Sequence, residues 1–215
     1  MKKLMLTFIA LSMGTLMVFA QIDPKATEIL EKVTQEFKKS TFTTVDFNLV
    51  IENAQKKSTQ KIKGNLRTHK ANMYITTPFA EILYDGQSQY VYLKDANEVT
   101  ISEGNMEELQ QFNPQFVIDS YKKNFRIPQP AIVMENNKRL YSIDLYPENV
   151  NQTYFRVNIK INAETNDIVS ISTFEKSGIT SVIQLAKIVK NAPLTVADFQ
   201  FDAKRYPQAE IIDLR

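Results

Sequence analysis

One histidine, no cysteine and few glycines limit the chemistry that this 215-residue chain can perform. His69 has no second imidazole with which to share a metal ion or complete a histidine-based relay. It falls in the segment 68–70 between two strands, where a solvated side chain is expected. Beyond residue 20 the glycines are Gly64, Gly86, Gly104 and Gly178, too far apart to build a dinucleotide loop or a P-loop. Glu107 and Glu108 are adjacent on a predicted helix and so point in different directions. They suit the positive end of a helix dipole better than an acid–base pair. The residues assemble no catalytic constellation and no metal set, so a non-enzymatic protein without cofactor is the expectation.

Two lysine clusters admit two readings. Lys56, Lys57, Lys61 and Lys63 lie on one predicted hairpin, and Lys122 and Lys123 end a predicted helix. They are either a solvated edge and a favoured helix C-terminus, or a docking surface for an acidic partner.

The compartment is read from the start of the chain. Lys2 and Lys3 precede an uncharged run over residues 4–19, and Val18 and Ala20 are small residues placed for cleavage before Gln21. An uncleaved anchor is the alternative, but the run is short of the roughly 20 residues of a span. We expect a secretory signal over residues 1–20, cleaved after Ala20, and a periplasmic protein over residues 21–215. Whole, the chain has 26 basic and 24 acidic residues. Losing Lys2 and Lys3 with no acid leaves a formally neutral protein, which argues against a nucleic-acid partner. Without disulfides the core alone must hold the fold, and 195 residues suffice for a single domain.

Asp23-Pro24 opens a helix as N-cap and first helical residue. Ala26, Ile29, Leu30, Val33 and Phe37 then recur at helical spacing to about residue 39. From Thr43 the period becomes two, with Val45, Phe47, Leu49 and Ile51 alternating with polar neighbours. Further strands are expected over residues 61–67, 73–77, 80–84, 89–93 and 99–101, with Asp85-Gly86 as the strongest turn signal. Residues 107–112 and 114–123 read as two short helices divided by Pro114, and residues 125–133 as an edge-like or looping link. Strands resume over 140–146, 154–161, 168–175 and 179–189, and residues 199–201 form a last extended piece. The fold class is mainly β with helices (α+β). Ten or eleven strands in consecutive antiparallel hairpins make one large curved sheet, an incomplete barrel.

Thirteen Phe and nine Tyr make this sheet aromatic. The expected wall of an apolar cavity is Phe47, Leu49, Leu66, Tyr74, Leu83, Tyr90, Tyr92, Phe155 and Val157. The helical insertion, through Leu109, Phe112, Phe116 and Val117, is the expected lid. Such a cavity suits a hydrophobic ligand. Each acyl CH₂ withdrawn from water contributes about 0.8 kcal/mol, so an acyl chain of ~16 carbons resists crossing water by on the order of 10 kcal/mol.

The order of Gly64-Asn65-Leu66, Lys70-Ala71-Asn72-Met73-Tyr74, Pro78, Ile82-Leu83-Tyr84-Asp85-Gly86 and Tyr90-Val91-Tyr92 resembles the periplasmic outer-membrane lipoprotein carriers of the LolA type. Asp198-Phe199-Gln200-Phe201, Pro207 and Ile212-Asp213 are similar too. The resemblance implies a half-barrel covered by helices, with no enzymatic activity. Its implied partners are acylated lipoproteins, an inner-membrane lipoprotein-exporting ABC transporter and an outer-membrane receptor, and the protein is expected as a monomer. An arginine of that family fastens the lid, and Lys70 stands in its place with Ala71 for the neighbouring proline. Tyr90 stands for a tryptophan, and Gln208-Ala209 for a glycine. The alternative function is an envelope-stress sensor or general lipid-binding module on the same fold.

Overall fold

The structure, a computed structural model, describes residues 22–104, 121 and 124–215. Helix α1 spans Pro24–Lys38 and begins as its sequence dictates. The Asp23 carboxylate accepts from the backbone N–H of Lys25 and Ala26, and Pro24 fills the first helical position. Its apolar stripe, Ala26, Ile29, Leu30, Val33 and Phe37, is buried. On the solvent side Glu28 bridges Lys25 and Lys32 at 2.8 and 2.7 Å.

Among the described residues thirteen strands form one sheet: β1 (Thr43–Asn53), β2 (Ser58–His69), β3 (Asn72–Thr76), β4 (Ala80–Tyr84), β5 (Ser88–Leu93), β6 (Glu98–Glu103), β7 (Phe125–Arg126), β8 (Ala131–Glu135), β9 (Lys138–Pro147), β10 (Tyr154–Asn162), β11 (Ile168–Glu175), β12 (Ile179–Lys190) and β13 (Glu210–Asp213). The order across the sheet is β13-β6-β5-β4-β3-β2-β1-β12-β11-β10-β9-β7, with β8 also on β9. The sheet is open. Two meanders, β1 to β6 and β7 to β12, meet where β1 pairs antiparallel with β12 from Thr43↔Lys190 to Asn53↔Ile179.

Alternation gives the sheet two faces. On the first, Val45 lies opposite Leu66 and Ile188, and Leu49 opposite Ile62 and Ile183. Phe47 lies opposite Gly64, and its ring crosses that glycine: a Cβ there would sit 2.3 Å from the ring. α1 packs on this face over the β9–β11 half, against Ile143, Leu145, Ile159, Ile161 and Ile171. On the second face Tyr74, Leu83 and Tyr90 are covered by the C-terminal segment through Phe199 and Phe201.

Several expectations need correction. The link over residues 125–133 contains β7 and the start of β8, and β8 forms a hairpin with β9 through Asn136-Asn137. Both turn residues have positive φ (49° and 59°), the backbone of a tight hairpin turn that asparagine tolerates. Residues 196–199 form a 3₁₀ turn in place of an extended start. The chain end returns as β13, which pairs parallel with β6, so the sheet is not wholly antiparallel. His69 is buried, not solvated. Its Nδ1 lies 2.9 Å from the Thr41 carbonyl, and its ring stacks on Phe42 at 4.3 Å. Of the two expected helices, Tyr121 alone is among the described residues, where it is helical and buried; the rest, with Glu107 and Glu108, lies outside them, as does the expected signal over residues 1–20.

The Phe47–Gly64 approach yields a test. Gly64→Ala should destabilise the protein by about 1–3 kcal/mol, because the added methyl displaces a packed ring. Urea denaturation checks this, and adding Phe47→Leu should recover part of the loss.

Candidate functional site

The expected cavity wall divides between the two faces. Phe47, Leu49 and Leu66 come together on the first face with Val45, Met73, Ile75 and Tyr84. Val157 is on that face too, beneath α1. Tyr74, Leu83, Tyr90 and Tyr92 are on the second. Register explains the division: Leu66 pairs with Ile75 and Ile75 with Ile82, whereas Tyr74 pairs with Leu83 and Leu83 with Tyr90. Neighbours in a ladder share a face, so residues one apart along β3 or β4 cannot line one cavity. Phe155 is half exposed, with its ring near Phe174 at 6.3 Å, and it lies outside the buried cluster of the first face. Ile75, Ile82 and Ile183 are the residues that sequence reasoning missed on the first face. The alternation in Met73-Tyr74-Ile75 holds that signal, but either phase places aromatic or aliphatic side chains inward.

On the first face the α1 stripe meets the β9–β11 side chains, and the buried Tyr121, itself helical, joins the same cluster. Beside it, across β1, β12 and β11, lies a groove of about 300 Å³. Leu49, Ile51, Ile171, Ile179 and Ile183 line it, with Thr173, Ser181 and Glu175 as its polar members. Ile51, Ile62, Ile82 and Ile183 are only half-buried. The lid residues Leu109, Phe112, Phe116 and Val117 lie outside the described residues. Lys70 sits in the two-residue turn between β2 and β3, exposed and with φ of +53°.

The second face is a fastening. Phe201 stacks on Tyr90 at 4.5 Å, and Tyr206 lies against Tyr92 at 4.7 Å. Below them Glu81 Oε2 accepts from the Tyr74 hydroxyl at 2.5 Å and the Tyr206 hydroxyl at 2.8 Å. Arg205 Nη2 donates to Tyr74 Oη at 2.9 Å, and Lys94 Nζ stands 3.9 Å from Glu81. Burial pushes the Tyr74 and Tyr206 hydroxyls up from their ordinary range, with hydrogen bonds to Glu81 adding to the shift. Burial pushes Glu81 up as well, but the two hydroxyls and the charges of Lys94 and Arg205 outweigh it and leave its carboxyl below the usual value. Protonated phenols around a carboxylate hold a segment in place; they offer no nucleophile next to a base. Among the described residues no three His, Cys, Asp or Glu side chains group as metal ligands. No described helix is long and apolar enough to cross a membrane.

These features define a class: a mainly β protein built as one open sheet, with an apolar face that a single described helix covers in part. The chain belongs to the outer membrane lipoprotein carrier protein LolA family, whose model matches residues 22–202. No curated protein matches the sequence. The fold is similar to that of an uncharacterized conserved protein from Thermus thermophilus, with TM-score 0.59 and 10% identity over 88% of this chain and 99% of the other. It is also similar to a DUF1329 family protein from Desulfovibrio piger, with TM-score 0.52 and 12% identity over 85% and 99% of the two chains.

The Glu81 cluster predicts a pH dependence. A carboxylate held below its unfolded value stabilises above about pH 4.3, the unfolded pKa, and that stabilisation fades as pH falls through the lower folded value. Amide protection over residues 199–206, taken relative to the intrinsic exchange rate at each pH, should therefore fall on acidification in the parent. In Glu81→Gln it should be lower already at neutral pH and respond less to acid.

Proposed function

We propose that this protein is a non-enzymatic, periplasmic carrier that shelters the acyl chains of lipoproteins against the first face of its sheet. The observation that carries this reading is the half-buried apolar groove of Leu49, Ile51, Ile171 and Ile183 on the same face as α1. Membership of the family supports the choice of cargo. An acyl chain laid along that groove extends the contact that α1 already makes with the neighbouring strands, and each methylene removed from water adds about 0.8 kcal/mol. In this reading the chain is exported with loss of residues 1–20. It receives cargo from an inner-membrane ABC exporter and yields it to an outer-membrane receptor. Affinity built from many weak apolar contacts suits hand-over, since no single bond must break.

The test uses a fluorescent palmitoylated peptide and outer-membrane vesicles. Parent protein should capture the peptide and release it to the vesicles. Ile51→Glu places a charge in the groove, whose desolvation opposes an apolar ligand, and should weaken capture at least tenfold. Phe155→Glu, away from the groove, should leave capture unchanged. Equal capture by the two variants would remove the groove from the binding site, and stable binding without transfer would overturn the carrier reading.

A further inference from the structure

β2 is longer than the strand beside it. β1 pairs with β2 as far as Ser58, whereas β3 pairs with residues 65–69 only. Residues 58–64 thus have a neighbour on one side and, among the described residues, none on the other. That is the length of an ordinary strand. Such an edge turns backbone N–H and C=O groups outward, a template for another chain.

The surroundings of this edge are specific. From the end of β3 a cleft of about 420 Å³ runs across β2 and β1, with Thr76, Thr77 and Lys94 at one side, Lys63 and Asn65 along it, and the Asp46 carboxylate among its lining. Close to Thr77 and Lys94 in the chain, Phe79 and Leu93 are 57% and 44% exposed. The Lys94 N–H donates to the Phe79 carbonyl at 3.0 Å, which holds the two apolar residues together. Lys56, Lys57, Lys61 and Lys63 are exposed and make no ion pair among the described residues. By contrast, Lys25, Lys32, Lys39, Lys160 and Lys190 each have a carboxylate partner. The nearby acids on β1 are Glu52, opposite Thr59, and Asp46, whose carboxylate takes the Asn65 amide at 2.7 Å.

Lysines guard open edges against self-association, and that role alone accounts for Lys61 and Lys63. It leaves the cleft and the exposed Phe79 and Leu93 without a purpose. We propose that the edge at residues 58–64 docks an extended acidic segment of a partner protein, which adds to β2 as a further strand. Main-chain bonds supply affinity in this mode, and side chains on alternate positions supply specificity. The unopposed lysines select acids, while Phe79 and Leu93, exposed beside Lys94, offer an apolar contact. A phospholipid surface or a nucleic-acid backbone satisfies the charge but not the alternating donors and acceptors of the edge. The site is on the strand edge, not in the apolar groove, so it stands whether or not the groove carries acyl chains.

Fluorescence anisotropy with a labelled eight-residue peptide of alternating Glu and Val tests this. The peptide should bind, and hydrogen exchange at residues 59–63 should slow. A Lys-Val counterpart should bind at least tenfold more weakly, as should the Glu-Val peptide on a Lys61→Glu/Lys63→Glu variant, whose substituted positions are exposed. The Glu-Val peptide N-methylated at alternate residues, equal in charge but short of donors, should also lose at least tenfold. Failure of the unmodified peptide to bind, or equal binding of the methylated one, overturns the proposal. So does displacement of the peptide by phosphatidylglycerol vesicles or oligothymidylate at equal charge concentration, which would assign the lysines to anions in general.

Discussion

The pairing of β1 with β12 is the constraint on which the rest of this structure depends. Either meander alone is a narrow ribbon with an apolar face that it cannot cover. Joined along eleven register positions, they form one surface wide enough for α1 to pack on one half while the other half carries the groove. The register shift between Asp46 and Phe47 leaves Ala186 as an extra residue on β12 at the middle of the seam. A bulge of this kind increases local twist, and it falls beside Phe47, whose ring needs the space that Gly64 leaves empty. Seam, bulge and glycine are thus one local solution to placing a large ring on the central strands.

The apolar face and the fastened face make different demands on the same strands. β3, β4 and β5 present Met73, Ile75, Ile82 and Tyr84 to the groove side, and Tyr74, Leu83, Tyr90 and Tyr92 to the other. The tyrosines carry both a ring to stack and a hydroxyl to donate, and Glu81 gathers two of those hydroxyls. The C-terminal segment is thereby held by stacking and by charge-assisted hydrogen bonds, which keeps Tyr74 and Leu83 buried on that face. On the first face the groove is lined mainly by aliphatic residues, with Thr173, Ser181 and Glu175 among them.

Much of the fold was legible because period is a local property. Asp23-Pro24, the stripe from Ala26 to Phe37, and the switch to period two at Thr43 each report their own element. The Asp85-Gly86 turn fixed the β4–β5 register, with Gly86 at φ of +101°. What was not legible was non-local. Tyr74, Leu83 and Tyr90 look like groove residues until Phe199 and Phe201 are known to cover them, and those lie more than a hundred residues later without a periodic pattern. His69 is buried for the same reason, since Phe42 and the Thr41 carbonyl reach it from the other arm of the β1–β2 hairpin. Leu49 and Leu66 share one face because β1 and β2 share a short connection, whereas one residue of phase along β3 sets Tyr74 on the other.

The chain's last strand has a consequence for how the protein is made. β6 completes its outer side only when β13 returns beside it, and β1 completes its own only when β12 arrives. Both closures span more than a hundred residues, so the contact order is high and the sheet forms slowly. While an emerging chain lacks its final residues, β1 and β6 each present an unsatisfied edge at once. Until β12 and β13 have paired, these two open edges are where another chain can add, so slow closure and exposure to aggregation share one topological cause.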